Sequence, residues 1–282
     1  MSFRLSFEFF PPRTDQGRRT LLKTCERLAR HAPEFFSVTY GAGGSTRDRT
    51  LETVSAIAEK GFPVAPHLSI GTDDDRDIAE LLERYRAIGI DRIVALRGDI
   101  PSGIGSTRHV RYAEELVRLI RTSTREHFRI EVAAYPEVHP DATSPEKDLE
   151  HFKRKVEAGA TSAITQYFFN PDAYFDFVDR VRGAGLEVPI VPGVMPITNY
   201  ANLVRFSDNC GADIPRWIRK RLEAYQHDGT SLARFGQEVV VHLCRRLVDG
   251  GAPGLHFYTL NQAAPTEAVW REVAPQVLPR GR

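Results

Sequence analysis

The sequence predicts an α/β chain folded as a (β/α)8 TIM-type barrel with extra helices between strands seven and eight. Three observations predict it. Short apolar or β-branched runs recur eight times along the 282 residues. Most are separated by amphipathic stretches whose apolar residues return at three and four. Run starts are spaced by roughly thirty residues, which leaves room for one crossover helix between parallel strands. An open doubly wound sheet would share this alternation, and the count of eight favours closure.

Taken in order, the candidate strands are Leu5 to Phe10, Phe35 to Tyr40, Pro63 to Ile70, Arg92 to Leu96, Ile130 to Tyr135, Ala163 to Phe169, Val188 to Val194 and Leu255 to Leu260. The helical periodicity between them is clearest at Leu21 to Ala29, Leu51 to Glu59, Ile78 to Ile88, Ala113 to Ile120 and Tyr174 to Val181. The interval before the last strand is about twice the usual length. It carries three helical patterns, near Asn199 to Ser207, Pro215 to Tyr225 and Leu232 to Leu247. No solenoid repeat, low-complexity tract or long polar linker divides the chain, so residues 1–282 are expected to form one domain, loose after Pro275.

An apolar content of 41% suits one substantial core. Thirty-eight Lys and Arg against 37 Asp and Glu leave a net charge of +1, which gives no reason to expect nucleic acid or an anionic membrane as partner. Cys25, Cys210 and Cys244 stand too far apart for a zinc knuckle or a disulfide framework, and a reducing cytoplasm fits them. The first ten residues carry Arg4 and Glu8 in a short apolar run unlike a signal peptide, and no run of about eighteen apolar residues exists.

In a barrel the chemistry gathers at the carboxyl ends of the strands. Polar residues stand there in nearly every run: Glu8, Thr39 and Tyr40, His67, Arg97 and Asp99, then Tyr135, Glu137 and His139, Gln166, and finally Tyr258 and Asn261. Taken singly, most could be hydrogen-bonded packing residues. Glu8 differs, because a carboxylate among Phe7, Phe9 and Phe10 is costly to bury alone, and desolvation is expected to raise its pKa toward general-acid work. Asp99 could equally pair with Arg97 or cap a turn. Gly41 to Thr46 sits between strand and helix but lacks both phosphate-loop signatures, so Ser45 or Thr46 is expected to cap the next helix. Gly98 to Ser106 reads as a flap. Asp148, His151, Arg154 and Lys155 recur at three and four, which places them on one side of the helix after the fifth strand. They could be a solvated face, or hold a sugar hydroxyl and phosphates. His67 and His139 lack further ligands at metal-site spacing, and no metal is expected.

Several of these pieces match one enzyme family in order. Ser6-Phe7-Glu8-Phe9-Phe10-Pro11-Pro12-Arg13, Ser37-Val38-Thr39-Tyr40-Gly41-Ala42, Ala65-Pro66-His67-Leu68, Ala95-Leu96-Arg97-Gly98-Asp99 and Ala133 to Pro140 come first. Ala163 to Phe169, Pro192-Gly193-Val194-Met195-Pro196 and His256-Phe257-Tyr258-Thr259-Leu260-Asn261 follow. The sequence resembles the methylenetetrahydrofolate reductases of the short bacterial type over nearly its whole length. The resemblance implies a β8α8 barrel with non-covalent FAD across its mouth, NADH or NADPH as hydride donor with NADH favoured, and methylenetetrahydrofolate as acceptor. Thr39, Tyr40, Ala42, His67, Arg97, Gly98 and Asp99 fall where the family contacts flavin. So do Tyr112, Tyr135, His139, Ala142, Asp148, His151, Arg154 and Lys155.

By the same likeness Glu8 is the acid that opens the folate ring, Asp99 touches pterin and tunes the flavin, Gln166 binds pterin, and Phe206 stacks on folate or nicotinamide. Asn202, Tyr258 and Gln262 complete the implied substrate set. Two positions depart from the family pattern: Gln262 stands where an arginine is common, which weakens any cationic contact to the glutamate tail, and Asn202 stands where Gln is frequent. The implied chemistry is two half-reactions at one flavin face, serving methyl supply for methionine synthesis. The chain ends soon after the barrel, so feedback by adenosylmethionine through an added regulatory domain is expected to be absent. A homo-oligomer in the cytoplasm is expected. The rival readings are another barrel flavoenzyme, of the proline dehydrogenase-like type, and a binding protein for folate or nucleotide that does no chemistry.

Overall fold

The computed structural model describes residues 3–40, 44–70, 74–97 and 111–277, with the side chains of residues 44–46 left aside. Among the described residues nine parallel strands form one sheet: β1 (Arg4–Phe9), β2 (Phe35–Val38), β3 (Val64–Ser69), β4 (Arg92–Leu96), β5 (Arg129–Ala134), β6 (Ser162–Thr165), β7 (Ile190–Val191), β8 (Gly193–Val194) and β9 (Gly254–Tyr258). Their spatial order is β7-β6-β5-β4-β3-β2-β1-β9-β8. The predicted seventh strand is therefore present in two pieces. Pro192 has no N–H to donate to a ladder. The chain bends there, so that Ile190 and Val191 pair with β6 while Gly193 and Val194 pair with β9. The ring closes through that bend, with the Pro192 carbonyl accepting from His256 N at 3.0 Å. Gly193 has no substitute, because a Cβ would run into the Thr165 carbonyl oxygen and the Tyr258 ring.

The helices are α1 (Asp15–Ala29), α2 (Gly44–Glu59), α3 (Asp75–Ala87), α4 (Ala113–Thr124), α5 (Pro145–Glu157), α6 (Pro171–Gly183), α7 (Tyr200–Cys210), α8 (Arg216–Ala224), α9 (Gly229–Asp249) and α10 (Ala263–Val277). The three predicted in the long interval are α7, α8 and α9. Caps set several starts: Thr14, Ser144, Asn170, Asn199 and Asp228 each accept a backbone N–H of the first turn, and Pro145 and Pro171 occupy early positions where no N–H is missed. α2 begins at Gly44, so Ser45 and Thr46 lie within its first turn and neither is the predicted N-cap. α10 runs through Pro275 to Val277, two residues past the predicted loosening. No helix among the described residues is long and apolar enough to cross a membrane.

Alternation along β1 sorts its residues. Leu5, Phe7 and Phe9 join the large core between sheet and helices, while Arg4, Ser6 and Glu8 turn into the barrel. Three layers fill that interior. At the floor, Glu131 accepts from Arg4 at 2.8 Å and from Arg92 and Ser162, and Glu34 accepts from Arg4 at 2.7 Å and Arg92 at 2.5 Å. Above it, Phe35, Ala65, Val94 and Ile164 make a small apolar plug, with the Arg92 guanidinium 4.4 Å from the Phe35 ring centre. The top layer is polar and opens at the carboxyl ends of the strands.

Candidate functional site

At that open end a cavity of about 320 Å³ is lined by Glu8, Gln166, Met195, Phe206, Tyr258 and Leu260 among others. Glu8 comes from the carboxyl end of β1, Gln166 follows β6, Tyr258 is the last residue of β9, and Phe206 stands midway along α7. The walls are mainly apolar with a few convergent polar groups, the composition of a small-molecule site.

Glu8 is its chemical centre. The side chain is 15% exposed, and His67 Nε2 of β3 faces its Oε2 at 3.2 Å. His256 Nε2 of β9 reaches the same oxygen at 3.4 Å, and the Ser6 hydroxyl meets His256 Nδ1 at 2.7 Å. The predicted rise in the Glu8 pKa is overturned by this arrangement. Burial alone would lift the carboxyl, but the facing His67 and the hydrogen bond from His256 outweigh it and hold it at about 2. Of its aromatic neighbours in sequence, Phe7 and Phe9 join the core on the other face of the strand, and Phe10 lines the same cavity. Glu8 thus stands between two imidazoles that favour its carboxylate form.

The rest of the rim is held by short local bonds. Gln166 Oε1 accepts from Tyr167 N at 3.0 Å, and Tyr258 donates its hydroxyl to the Thr165 carbonyl at 2.7 Å. Thr259 bonds the Glu8 carbonyl through Oγ1 at 2.6 Å. Leu260 and Asn261 both take left-handed backbone conformations, at φ 49° and 59°. Such positions persist only when surroundings hold them, and here Asn261 clamps Phe10 through both its amide atoms at 3.0 and 2.9 Å.

A second group spreads over β2 to α5. Thr39 N donates to the Phe9 carbonyl at 2.9 Å, and Tyr40 follows at the end of β2. Arg97 is ion-paired with Asp141. Tyr135 and His139 meet edge to face at 4.4 Å, the Ala142 N–H closes a turn on the His139 carbonyl at 2.9 Å, and Val138 between them is held at φ 72°. Burial, then Arg97, pushes His139 below the usual imidazole range. Ala42, Gly98 and Asp99 lie outside the described residues, as do the glycine run at 41–43 and most of the predicted flap.

The four predicted residues of α5 lie on one side of the helix, within about a third of its circumference at 3.6 residues per turn, and their side chains make different contacts. Asp148 accepts from His139 N at 3.0 Å, His151 stacks on Tyr112 at 5.2 Å, and Arg154 is exposed and bonded to Glu150 at 2.6 Å. Lys155 turns inward, donating to the Ala133 carbonyl at 2.5 Å, and burial brings its ammonium down to about 8. Asp148 and Lys155, seven residues and almost two turns apart, return to nearly the same direction, while Arg154 lies at the solvent edge of the set.

Among the substrate residues, Gln166, Phe206 and Tyr258 line the cavity, whereas Asn202 and Gln262 do not and are exposed. Asn202 lies in the first turn of α7, its Oδ1 accepting from Arg205 at 3.3 Å, and Gln262 N closes a turn on Thr259. His256 was absent from the site expected from sequence. Period two would have found it, since it stands two residues before Tyr258 and so on the same strand face.

The methylenetetrahydrofolate reductase family model matches residues 1–274. A 5,10-methylenetetrahydrofolate reductase of Salmonella typhimurium is 42% identical over 267 residues, spanning 94% of this chain and 88% of its own. That of Escherichia coli is 40% identical over 266 residues with the same coverage of 94% and 88%. Among solved structures, a Clostridium thermocellum protein that binds two copies of 5-methyl-5,6,7,8-tetrahydrofolic acid superposes with a TM-score of 0.68 at 15% identity, covering 98% of this chain and 96% of its own. At that identity the likeness concerns the fold.

Proposed function

The chain belongs to the methylenetetrahydrofolate reductase family, and on that premise we propose that it reduces 5,10-methylenetetrahydrofolate to 5-methyltetrahydrofolate with flavin as intermediary and NADH as the favoured donor. The observation that carries the reading is Glu8, a carboxylate at the base of an aromatic-walled cavity in contact with two imidazoles. Ring opening of the folate needs a proton at a nitrogen, and this is the group positioned to pass one. Gln166 offers an amide to the pterin edge, and Phe206 a ring to stack on. The product would serve methyl transfer to methionine.

The residues fit FAD. His151 Nδ1 is buried without a hydrogen-bond partner, and Lys155, bonded to the Ala133 carbonyl, has no carboxylate partner among the described residues. Such groups suit the hydroxyls and phosphates of a flavin dinucleotide. Thr39, Tyr40, His67 and Arg97 would meet the ring system and Tyr135, His139 and Ala142 its chain. Tyr112, Asp148, His151, Arg154 and Lys155 would hold the ribose, phosphates and adenine. When bound, the flavin supplies hydride transfer in two stages.

The test follows from the colour of flavin. The purified protein should be yellow, bleach with NADH, and recover on adding a methylenetetrahydrofolate acceptor. Bleaching without recovery by folate would favour another barrel flavoenzyme, and no flavin at all would favour a binding protein.

Lys155 gives a second check. Lys155→Met should weaken FAD retention by about 1.5–3 kcal/mol, the scale of a charge-assisted hydrogen bond. The flavin-free protein should respond oppositely. With the folded-state ammonium at about 8 and the unfolded one near 10.4, the unfolded chain binds more protons between those values, so stability should rise with pH across that window. The substitution should flatten that rise and stabilise the flavin-free protein by about 1–3 kcal/mol at pH 7. Urea titrations at pH 7, 8 and 10 measure both, and an unchanged slope would count against a buried, strained ammonium.

A further inference from the structure

Two segments that carry different parts of the site meet behind the cavity. The turn after β5 holds Tyr135 and His139, and the second half of α7 holds Phe206, Asn209 and Cys210, which line the cavity. We infer that Glu137 is a positioning residue for folate, a clamp whose carboxylate fastens the chain leaving α7 to the β5 turn and so fixes the angle of the substrate wall. The inference rests on the folate reading above and deepens it.

The clamp joins residues 76 apart in sequence: Glu137 Oε2 accepts from Asp213 N at 2.9 Å, just past the end of α7. Gln166, Tyr167 and Cys210 line both the cavity and a gap of about 10 Å³ that Glu137, Val138, Gly211 and Ala212 also line. That gap holds one water at most, so turn and helix end are packed together there. Gly211 closes α7 at φ 75° and backs onto Pro140, which a Cβ would meet at 3.3 Å.

Of the two partners, the β5 turn is the firmer. His139 N donates to Asp148 Oδ2 of α5 at 3.0 Å, and Val138 is held at φ 72° with its N–H on the Tyr135 carbonyl at 3.3 Å. The end of α7 is tied to the barrel at Ser207, whose hydroxyl meets that of Tyr167 at 3.0 Å. A helix end tied at one point can pivot about it, and a pivot at Ser207 would swing Phe206, Asn209 and Cys210 together. The bond at Asp213 is the second point that stops the pivot. It is not built for charge: burial pushes Glu137 above the usual carboxylate range, and no cation is bonded to it among the described residues. What the site uses is the reach of this side chain and its acceptor oxygen.

Three variants of the flavin-loaded protein separate reach from charge. Asp213 is exposed, so water can take its N–H and the variants should fold. Glu137→Ala should raise KM for methylenetetrahydrofolate about tenfold at saturating NADH, with the rate of the folate step within about threefold and FAD affinity within about twofold. Glu137→Asp keeps the charge but falls one methylene short, and should behave as alanine does. Glu137→Gln keeps the length and an acceptor oxygen, and should hold KM within about twofold of wild type. A brace that only supports the fold would lower the urea midpoint and leave KM alone, which would overturn the proposal. So would an aspartate like wild type, a glutamine like alanine, or equal losses of FAD and folate affinity.

The seating of α7 can also be read without folate, from the rate of N-ethylmaleimide labelling followed by mass spectrometry. Cys210 lines the cavity while Cys25 and Cys244 are fully buried. Labelling of Cys210 should speed about fivefold or more in Glu137→Ala and Glu137→Asp, and stay near wild type in Glu137→Gln. Should the wild type reduce no folate, the functional reading fails, and the labelling rates alone decide whether Glu137 seats the helix; equal rates in all four proteins would show that it does not.

Discussion

Glu8→Gln is expected to slow folate reduction by about a hundredfold to ten-thousandfold while leaving reduction of bound flavin by NADH within about tenfold. The two half-reactions make different demands on the protein. Hydride moving from nicotinamide to flavin takes no proton from a side chain, whereas ring opening of the folate does. Glutamine keeps the volume and can still meet His67 and His256, now 3.2 and 3.4 Å from Oε2, but it cannot carry a proton through. The loss should fall on the rate of the folate step more than on folate affinity, since Gln166 and Phe206 still line the cavity. Stopped-flow mixing at the flavin absorbance times each step alone. Equal slowing of both would make Glu8 a flavin-positioning residue, and the assignment of the proton path would be wrong.

Much of the barrel could be read from the chain because it depends on local pattern. Apolar runs about thirty residues apart, with helical periodicity between them, specify strand, crossover and strand whatever the rest does. Arg92 to Leu96 was read to the residue, and α7, α8 and α9 were visible in an interval too long for one helix. The split at Pro192 was legible in principle, since a proline in a central run argues against unbroken pairing, but the Gly193–Val194 partner on β9 lies over sixty residues onward. The site shows the same division. That Glu8 needed a partner followed from its neighbours, yet which partner did not, because His67 and His256 come from β3 and β9 and meet it only through barrel closure. The direction of its pKa shift went wrong for that reason: desolvation is written in the sequence neighbourhood, whereas the opposing imidazoles are written in the topology. On α5, spacing of three and four named the side of the helix but not that Lys155 reaches in to the Ala133 carbonyl while Arg154 stays exposed.

Removal of the floor carboxylate should be the most damaging change to the fold. Glu131 is wholly buried and accepts from Arg4, Arg92 and Ser162, so Glu131→Ala leaves two guanidinium groups facing an apolar plug with less than their full complement of charge. Breaking a buried pair from one side typically destabilises by about 3–5 kcal/mol. Glu34 stays bonded to both arginines and is partly exposed, which should hold the loss toward the lower end of that range. Glu34→Ala should cost less than Glu131→Ala, because water can reach the charges it leaves. Urea unfolding of the three proteins at pH 7 gives the order, and a loss below about 1 kcal/mol for Glu131→Ala would show that water enters the floor and solvates the arginines. The floor also lies beneath Phe35 and His256, away from the cavity. The folded fraction of Glu131→Ala should therefore keep both half-reactions near wild-type rates, which separates a residue that holds the barrel shut from those that work at its mouth.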